Sequence, residues 1–258
     1  MRKASIGENF VFTQQSLKTF KDCPLKFRKR YIENIRWSNS YDAKSAKRIE
    51  NGKDFHLLAC RYFSGVNDSE ETLKNEDAVL IHWISRLKES FPLDGKAVYR
   101  PEYKAGVANG TFKLEATFDL LSIESDRIEI WDWKTHEVRQ NPGKKSNPYN
   151  DSLQTKVYLY ILKECMDYIY PGFEGSIAMN YWQPEIPHIL EKIEYRTDMH
   201  KEFGDEIAAI TALISGYEYS ELDMAEKKHC SVCEFNMLCH SKNIDFTDIG
   251  INDFLIPF

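Results

Sequence analysis

Two aspartates and a lysine lie close together in the middle of the chain, on segments whose polarity alternates. Asp119 belongs to the first segment, and Asp132 and Lys134 belong to the second. If Ser125 and Asp126 form a two-residue hairpin turn, antiparallel pairing places Asp119 directly opposite Asp132, with Cβ atoms about 4.5–5.5 Å apart. Two carboxylates at that distance repel each other unless a cation neutralises them. The pattern therefore favours a divalent metal site with Lys134 beside it.

The alternative is a solvated sheet face on which Lys134 pairs with an aspartate, since Asp-x-Lys is common by chance. Ile128 and Ile130 fall on the same strand face as Asp132, and such apolar neighbours weaken that alternative. The pairing also depends on turn length, because a loop of three to five residues would shift the register and separate the two acids.

Four of the six cysteines form a second group with the spacing of metal ligands. Cys230, Cys233 and Cys239 follow a C-x2-C-x5-C pattern, and Cys23 lies beside Pro24, near the other end of the chain. Four thiolates can hold an iron–sulfur cluster or a zinc ion. Structural zinc sites usually combine two CxxC-like pairs, and only one exists here, so zinc fits the spacing less well. Either centre would tie the two ends of the chain together.

Other polar residues could converge on the aspartates. Gln154 and Tyr158 are one helical turn apart and therefore share a helix face, as do Gly52 and His56. A lone histidine on a helix is more often a structural residue than a ligand. We expect Glu102, at the start of a probable strand, to be a surface carboxylate rather than a neighbour of a metal site.

The elements that must position these groups are typical of one compact α/β domain. Helices are predicted over 46–63, 70–89 and 152–168, and strands within 96–134 and over 176–182 and 189–195. Thr13 is expected to cap a short helix that Cys23-Pro24 ends, and Thr197 or Asp198 to cap a helix ending near Gly216. The alternation predicts one shared strand face for Phe112, Leu114, Ala116, Phe118 and Leu120.

Composition excludes some classes of function. The net charge of −6 argues against a protein that coats nucleic acid indiscriminately, but it does not exclude local basic patches. The basic run over 21–30 is expected to be a solvated helix face. The sequence has no apolar stretch long enough to span a membrane and no secretory signal at its start, so we expect a cytoplasmic protein. It has no phosphate-binding loop of the G-x-x-x-x-G-K-[ST] type, so it is not itself a helicase.

The order of these motifs resembles that of the RecB-type nucleases of the PD-(D/E)XK superfamily. Within that group the chain is similar to the iron–sulfur members, which include CRISPR-associated exonucleases of spacer adaptation and the AddB nuclease domain. The matching features, from about residue 13 to 240, are Cys23-Pro24, Gly52-x-x-x-His56, Asp119, Asp132-Trp133-Lys134, Gln154-x-x-x-Tyr158 and Cys230-x2-Cys233-x5-Cys239. One departure is Glu115-Ala116-Thr117-Phe118 before Asp119, which lacks the glycine or proline often found there.

The resemblance implies a restriction-endonuclease-like fold, with a central mixed sheet flanked by helices. It places N-terminal helices over about 13–90, a nuclease core over about 96–195, and a C-terminal helix with a cluster-binding segment over about 196–258.

The resemblance also implies roles for individual residues. His56, Asp119, Asp132 and the carbonyl of Trp133 would bind Mg2+ or Mn2+, and Lys134 would be the catalytic lysine. Gln154 and Tyr158 would position that lysine or the DNA strand. Cys23, Cys230, Cys233 and Cys239 would hold a 4Fe-4S cluster, and Cys60 and Cys165 would be core residues.

The implied function is a metal-dependent DNA exonuclease that acts on single strands or duplex ends, in DNA repair or CRISPR adaptation. Its partners would be DNA and a separate helicase or CRISPR adaptation protein. Three alternatives stay open: a non-cleaving DNA-binding module of a CRISPR or repair complex, a structure-specific endonuclease, and an iron–sulfur electron carrier.

Overall fold

The computed structural model describes residues 5–7, 9–36, 43–66, 77–135, 149–185, 189–219 and 227–242. The predicted helix over 70–89 and the segment over 196–258 therefore lie partly outside the described residues. The strands are β1 (Val11–Phe12), β2 (Val98–Ala108), β3 (Lys113–Ile123), β4 (Arg127–Trp133), β5 (Ser176–Trp182) and β6 (Ile189–Glu194). The helices are α1 (Gln14–Asp22), α2 (Pro24–Phe27), α3 (Ala43–Phe63), α4 (Ala78–Ser90), α5 (Leu153–Glu164), α6 (Met166–Ile169), α7 (Thr197–Gly216) and α8 (Asn236–His240). One π-helical turn (Arg28–Ile32) follows α2, and one 3-10 turn (Lys228–Val232) precedes α8.

The six strands form one mixed sheet in the order β1-β3-β4-β5-β6, and β2 pairs with β3. The β3–β4 hairpin has the predicted register, since Leu120 pairs with Trp131 and Ile123 with Ile128. The Glu124 amide donates to the Arg127 carbonyl (2.9 Å), which closes the two-residue turn. The prediction of this hairpin is confirmed.

Helices cover the sheet on both faces and form two apolar clusters with it. On one face, α1, α5 and α7 pack on Phe118, Leu121, Ile128 and Ile130. On the other, α3 and α4 pack on Leu120, Trp131, Trp133 and Trp182. The fold is therefore a central mixed sheet flanked by helices, as the sequence predicted.

The prediction that Leu120 shares a face with Phe118 is wrong. Phe118 and Leu121 pack in one cluster and Leu120 in the other, so the alternation of β3 breaks at Asp119. The reason lies in the neighbouring strand, where Glu102 has a left-handed backbone (φ 47°) beside this point. The regular pleat that the alternation assumes is interrupted there.

Helix ends follow their capping residues in one case and not in another. Thr13 caps α1 and shares a capping box with Ser16, as predicted, and Pro24 opens α2 in its first turn. Helix α7 is capped by the backbone of Arg196 without a side-chain bond, so the prediction of Thr197 or Asp198 as the cap is wrong. In the part of the chain that is described, no helix combines the length and the apolarity needed to cross a membrane.

Candidate active site and cysteine cavity

The polar site lies where the sheet forks. Strand β2 runs along one edge of β3, while β1 and β4 share the other edge. β1 pairs with Lys113 and Leu114, and β4 pairs only with residues 120–123. Residues 115–119 of that edge therefore have no strand neighbour among the described residues. Asp119 is the last residue of this gap, and continuing the register places Asp132 opposite it.

Asp119 is fixed at the fork by a backbone donor. The amide of Trp133 donates to Asp119 Oδ2 at 2.8 Å, so a carboxylate takes the place of a ladder partner where β3 and β4 separate. The other oxygen, Oδ1, lies 3.4 Å from His56 Nδ1. Asp119 therefore connects the end of β4 with helix α3.

Helix α3 presents His56 to the site because Gly52 lets it approach β4 closely. A Cβ atom on Gly52 would lie 2.9 Å from Thr135 Oγ1, which is closer than a Cβ contact normally allows. Gly52 is buried one turn before His56. The missing side chain thus explains, in physical terms, why glycine precedes the histidine at this spacing.

Asp132 and Lys134 form a second pair on the α5 side of the fork. Both side chains are buried, and Lys134 Nζ lies 2.6 Å from Asp132 Oδ2. Gln154 at the start of α5 joins them: its Nε2 donates to Asp132 Oδ1, and its Oε1 accepts from Lys134 Nζ at 3.1 Å. Tyr158, one turn later, hydrogen bonds to Gln154. The ammonium group of Lys134 is therefore held by two groups, Asp132 and Gln154, and Tyr158 supports the second.

The aromatic ring of Tyr181 packs against Lys134. Lys134 Nζ is 5.2 Å from the ring centroid of Tyr181, within the range of a cation–π contact. The Tyr181 hydroxyl contacts Thr155 Oγ1 at 2.8 Å, and its ring stacks on Tyr149 with centroids 4.1 Å apart. These contacts restrict the lysine to the side of the pocket that faces the fork.

Glu102 is the residue whose place the sequence did not predict. Pro101 pairs with Leu120 and Tyr103 with Phe118, so Glu102 lies opposite Asp119 on β2. Its side chain is exposed, as expected of a surface residue, yet ligand atoms of His56, Glu102 and Asp119 all lie within 4.8 Å of one another. Glu102 is thus a surface carboxylate, as expected, and it also lies next to His56 and Asp119, which the sequence did not predict. Pro101, which cannot donate to the ladder, is the sequence signal of an irregular strand here.

The charges at the fork shift one another's titration. Burial lowers the pKa of His56, but the charges of Asp119, Asp132 and Glu102 outweigh it and raise that pKa to about 9. Burial opposes ionisation of Asp119, yet His56, the Trp133 amide and Lys134 hold its pKa below the usual value. Burial and the charge of Asp119 raise the pKa of Asp132 despite Lys134. Partial burial and Asp119 also raise the pKa of Glu102.

This arrangement can hold a cation and position a nucleophile. Carboxylate oxygens with one imidazole suit Mg2+ or Mn2+. The fork brings His56, Asp119 and Glu102 into one group, while Asp132 faces Lys134 and Gln154 beside it. Trp133 reaches the site through its amide. A lysine fixed next to a metal-binding group is an arrangement that can bind water or a phosphate oxygen.

The four cysteines of the sequence motif line one cavity at the meeting point of the two chain ends. Cys23, Cys230, Cys233 and Cys239 share it with residues that include Lys26 and His229. Three of the sulfurs accept backbone N–H groups: Cys23 from Lys26 (3.4 Å), Cys230 from Lys227 (3.3 Å) and Cys233 from Phe235 (3.4 Å).

The spacing of these sulfurs is wider than that of a compact tetrahedral site. Within the described residues no three of the four come within 4.8 Å of one another. Burial raises the pKa of Cys233 to about 12, so its thiol is protonated at neutral pH until a cation replaces the proton. Cys60 and Cys165 lie outside the cavity and are half-buried rather than core residues, and Cys165 Sγ donates to the Gly106 carbonyl at 3.5 Å.

Beside this cavity a buried carboxylate holds the N-terminal segment. Glu234 contacts Lys26 Nζ at 3.0 Å and forms a short ion pair with Arg30. Arg28 Nη1 donates to the Tyr219 carbonyl at 2.8 Å, and the rings of Phe27 and Tyr219 stack. The basic run over 21–30 is thus largely engaged in intramolecular pairs, and the expectation of a solvated helix face was wrong for these residues.

Comparisons with known proteins identify the superfamily of the chain through a sequence profile. The sequence profile of the PD-(D/E)XK nuclease superfamily matches residues 11–240. An Eubacterium rectale protein described as a "putative exonuclease" is similar in structure, with a TM-score of 0.52, 11% sequence identity, and coverage of 96% of this chain and 94% of that chain. The SSO0001 structure aligns with a TM-score of 0.41 and 16% identity, over 92% of this chain and 88% of that one. No curated protein gives a significant match.

Proposed function

We propose, from the premise that the chain belongs to the PD-(D/E)XK nuclease superfamily, that it is a metal-dependent DNA exonuclease acting on single strands or duplex ends. The observation that carries this proposal is the fixed group of Lys134, Asp132 and Gln154 beside the His56–Asp119 pair. Burial of an ion pair next to a cluster of like charges costs free energy, and such an arrangement is typical of a functional site.

The reaction is hydrolysis of a phosphodiester bond. Water oxygen bonds to phosphorus, the bond to the leaving oxygen breaks, and that oxygen takes up a proton. A bound Mg2+ or Mn2+ acidifies the water and offsets the charge that develops on phosphate. His56, Asp119 and Asp132 would hold the cation, with the Trp133 backbone as a further contact.

Lys134 would hold the attacking water or a phosphate oxygen by donating hydrogen bonds. Asp132 and Gln154 fix its ammonium group, so little side-chain freedom is lost on reaction. Tyr158 supports Gln154 from one turn away and is therefore a positioning residue. The neutral amide of Gln154 binds the lysine without adding another negative charge near the phosphate.

The gap along β3 supports a polymer as substrate. Residues 115–119 have no strand partner on this edge among the described residues, and the side chain of Glu115 is exposed there. An extended DNA strand could lie along such an edge next to Asp119. The name of the Eubacterium rectale protein is the support for exonuclease action, and DNA is the substrate that the family resemblance favours.

The test is cleavage of end-labelled DNA. Anaerobically purified protein is incubated with 5′- and 3′-labelled single-stranded and duplex DNA, with Mg2+ or Mn2+. We expect stepwise shortening of linear DNA and no cut in circular single strands. Lys134→Ala should lower the rate by about a thousandfold, whereas Lys192→Ala, which removes an exposed lysine on β6, should not.

Three results would contradict parts of the proposal. Cleavage retained in Lys134→Ala would remove the assignment of the lysine. Cleavage of circular DNA would make the protein an endonuclease. Binding of DNA without any cleavage by the wild type would make it a DNA-binding module, with a CRISPR or repair complex as its context.

The cysteine cavity is proposed to hold a 4Fe-4S cluster. Tetrahedral zinc with Zn–S bonds of about 2.3 Å brings its sulfurs to about 3.8 Å, and the wider spacing of Cys23, Cys230, Cys233 and Cys239 supports a cluster whose thiolates each bind a different iron. Backbone N–H groups pointing at three sulfurs would stabilise thiolates. Wild-type protein purified without oxygen should be brown, with about four irons per chain; a colourless protein with one zinc would contradict this.

A further inference from the structure

Glu102 has a backbone conformation that a glutamate rarely adopts. In the middle of β2 its φ is 47°, in the left-handed region, while the residues on either side keep regular pairing with β3. A bulky residue at positive φ within a strand costs free energy, and such conformations persist where the surroundings hold them in place.

No protein group repays that cost. Within the described residues the Glu102 carboxylate makes no hydrogen bond or ion pair of its own, and it lies close to the carboxylate of Asp119. The backbone at Glu102 is strained, and its carboxylate lies beside the carboxylate of Asp119.

A second observation on the same site points to a missing partner. His56 Nε2 is buried and has no hydrogen-bond partner in the described part of the chain, while its Nδ1 faces Asp119. Two carboxylates and one imidazole from three separate elements, β2, β3 and α3, thus converge with more negative charge than the protein itself balances.

We infer that Glu102 is a further ligand of the divalent cation, beside His56, Asp119 and Asp132. This inference rests on the proposed function and deepens it. Glu102 lies opposite Asp119 across the β2–β3 pair, so the two side chains are on the same side of the sheet. The ligand is already in place in the free protein, which lowers the ordering cost of binding.

The direct test measures metal binding rather than cleavage. Mn2+ is titrated calorimetrically into metal-free wild type, Glu102→Gln and Glu115→Gln. Glu115 lies on the same exposed face of β3, four residues before Asp119, and is the matched control for loss of one carboxylate. We expect Glu102→Gln to weaken Mn2+ binding by about tenfold or more, and Glu115→Gln to leave it within about twofold. Equal affinity of Glu102→Gln and wild type would overturn the inference.

A second experiment tests the backbone on which the inference depends. Glycine is normally less stable than alanine in a strand, but it tolerates positive φ. Metal-free Glu102→Gly should therefore melt at a higher temperature than metal-free Glu102→Ala. If Glu102→Ala melts at the higher temperature, residue 102 has an ordinary strand conformation, and the positive φ on which the inference depends is refuted.

The outcomes separate this inference from the proposed function. A wild type that binds Mn2+ through Glu102 but never cleaves DNA would sink the nuclease proposal and leave the ligand assignment standing. If the wild type cleaves DNA and the Glu102→Gln variant binds Mn2+ with unchanged affinity, the nuclease proposal stands and the ligand assignment of Glu102 fails.

Discussion

The acidic site at the sheet fork and the cysteine cavity at the chain ends are built in opposite ways. At the fork, Asp119 and Asp132 come from adjacent strands of one hairpin, and their buried charges oppose each other. At the cavity, Cys23 and Cys230 come from opposite ends of the chain, and a buried Glu234 between two cations already holds these ends together.

This difference separates the residues that we expect to carry out the reaction, at the fork, from those that hold the chain together, at the cavity. Groups at the fork are held in conformations and charge states that cost stability, as the raised pKa of Asp132 indicates. Beside the cavity, the buried charge of Glu234 is paired with Lys26 and Arg30. We therefore expect damage at the fork to remove cleavage without loss of folding, and damage at the cavity to remove stability first.

The largest effect is expected for Asp132→Asn. Cleavage should fall by about a thousandfold, because Lys134 loses its charged partner and the cation a carboxylate. In the metal-free variant, Lys134 loses its buried charged partner, while the repulsion between Asp132 and Asp119 is removed. Because these two effects oppose each other, we expect a melting temperature close to that of wild type. Thermal unfolding in chelator measures this. A clear drop in melting temperature would break the contrast between the two regions.

Cys230→Ala, unlike Asp132→Asn, should lower the free energy of unfolding. If a cluster links Cys23 to the C-terminal cysteines, its loss frees a loop of more than two hundred residues, an entropy worth roughly 5 kcal/mol in the unfolded state. Denaturant unfolding of anaerobic wild type and variant, with the brown absorbance recorded in parallel, measures the change. Cys165→Ala, outside the cavity, is the control and should keep the colour.

Glu234→Ala should cost about 3 kcal/mol, because Lys26 and Arg30 are left with buried, unpaired charges. Glu33→Ala removes the exposed pair with Arg28 from the same basic run and should cost less than about 1 kcal/mol. Urea unfolding of both variants tests this in loaded and iron-free protein. Equal costs would mean that the buried carboxylate contributes nothing beyond a surface pair.

The smallest effect concerns the close contact of α3 with β4. Gly52→Ala should displace His56 and weaken Mn2+ binding about tenfold, because the new Cβ meets Thr135 Oγ1 at 2.9 Å while Thr135 Cβ is 4.0 Å away. Removal of that oxygen in the double variant with Thr135→Ala should restore affinity. A double variant with Thr135→Val keeps the bulk and should not. Failure of the alanine rescue would exclude this contact as the cause.

Local patterns predicted the hairpin, and tertiary contacts decided what the sequence missed. Ser125 and Asp126 fix a two-residue turn, and turn length alone determines that Asp119 faces Asp132. The alternation of β3 predicted a face for Leu120 that the irregularity at Glu102 reverses. That irregularity depends on how three elements pack together, and the alternating pattern of a single strand carries no information about such packing.

The same limit applies to the candidate site. The spacing of Gln154 and Tyr158 predicts a shared helix face, and the contact with Lys134 follows once α5 covers the sheet. The role of Glu234 had no sequence signal beyond its position next to Cys233, because its partners lie some two hundred residues away. Long-range ion pairs are not visible in local charge patterns.

The ion pairs of Glu234 also set an order of assembly. They need only protonated lysine and arginine, so a newly made chain can bring its first and last helices together without any inorganic centre. If the cavity takes up the proposed cluster, insertion can then follow folding, because the thiols already line one cavity. Protein made without iron would then accumulate as a closed, unfilled form rather than as an unfolded chain.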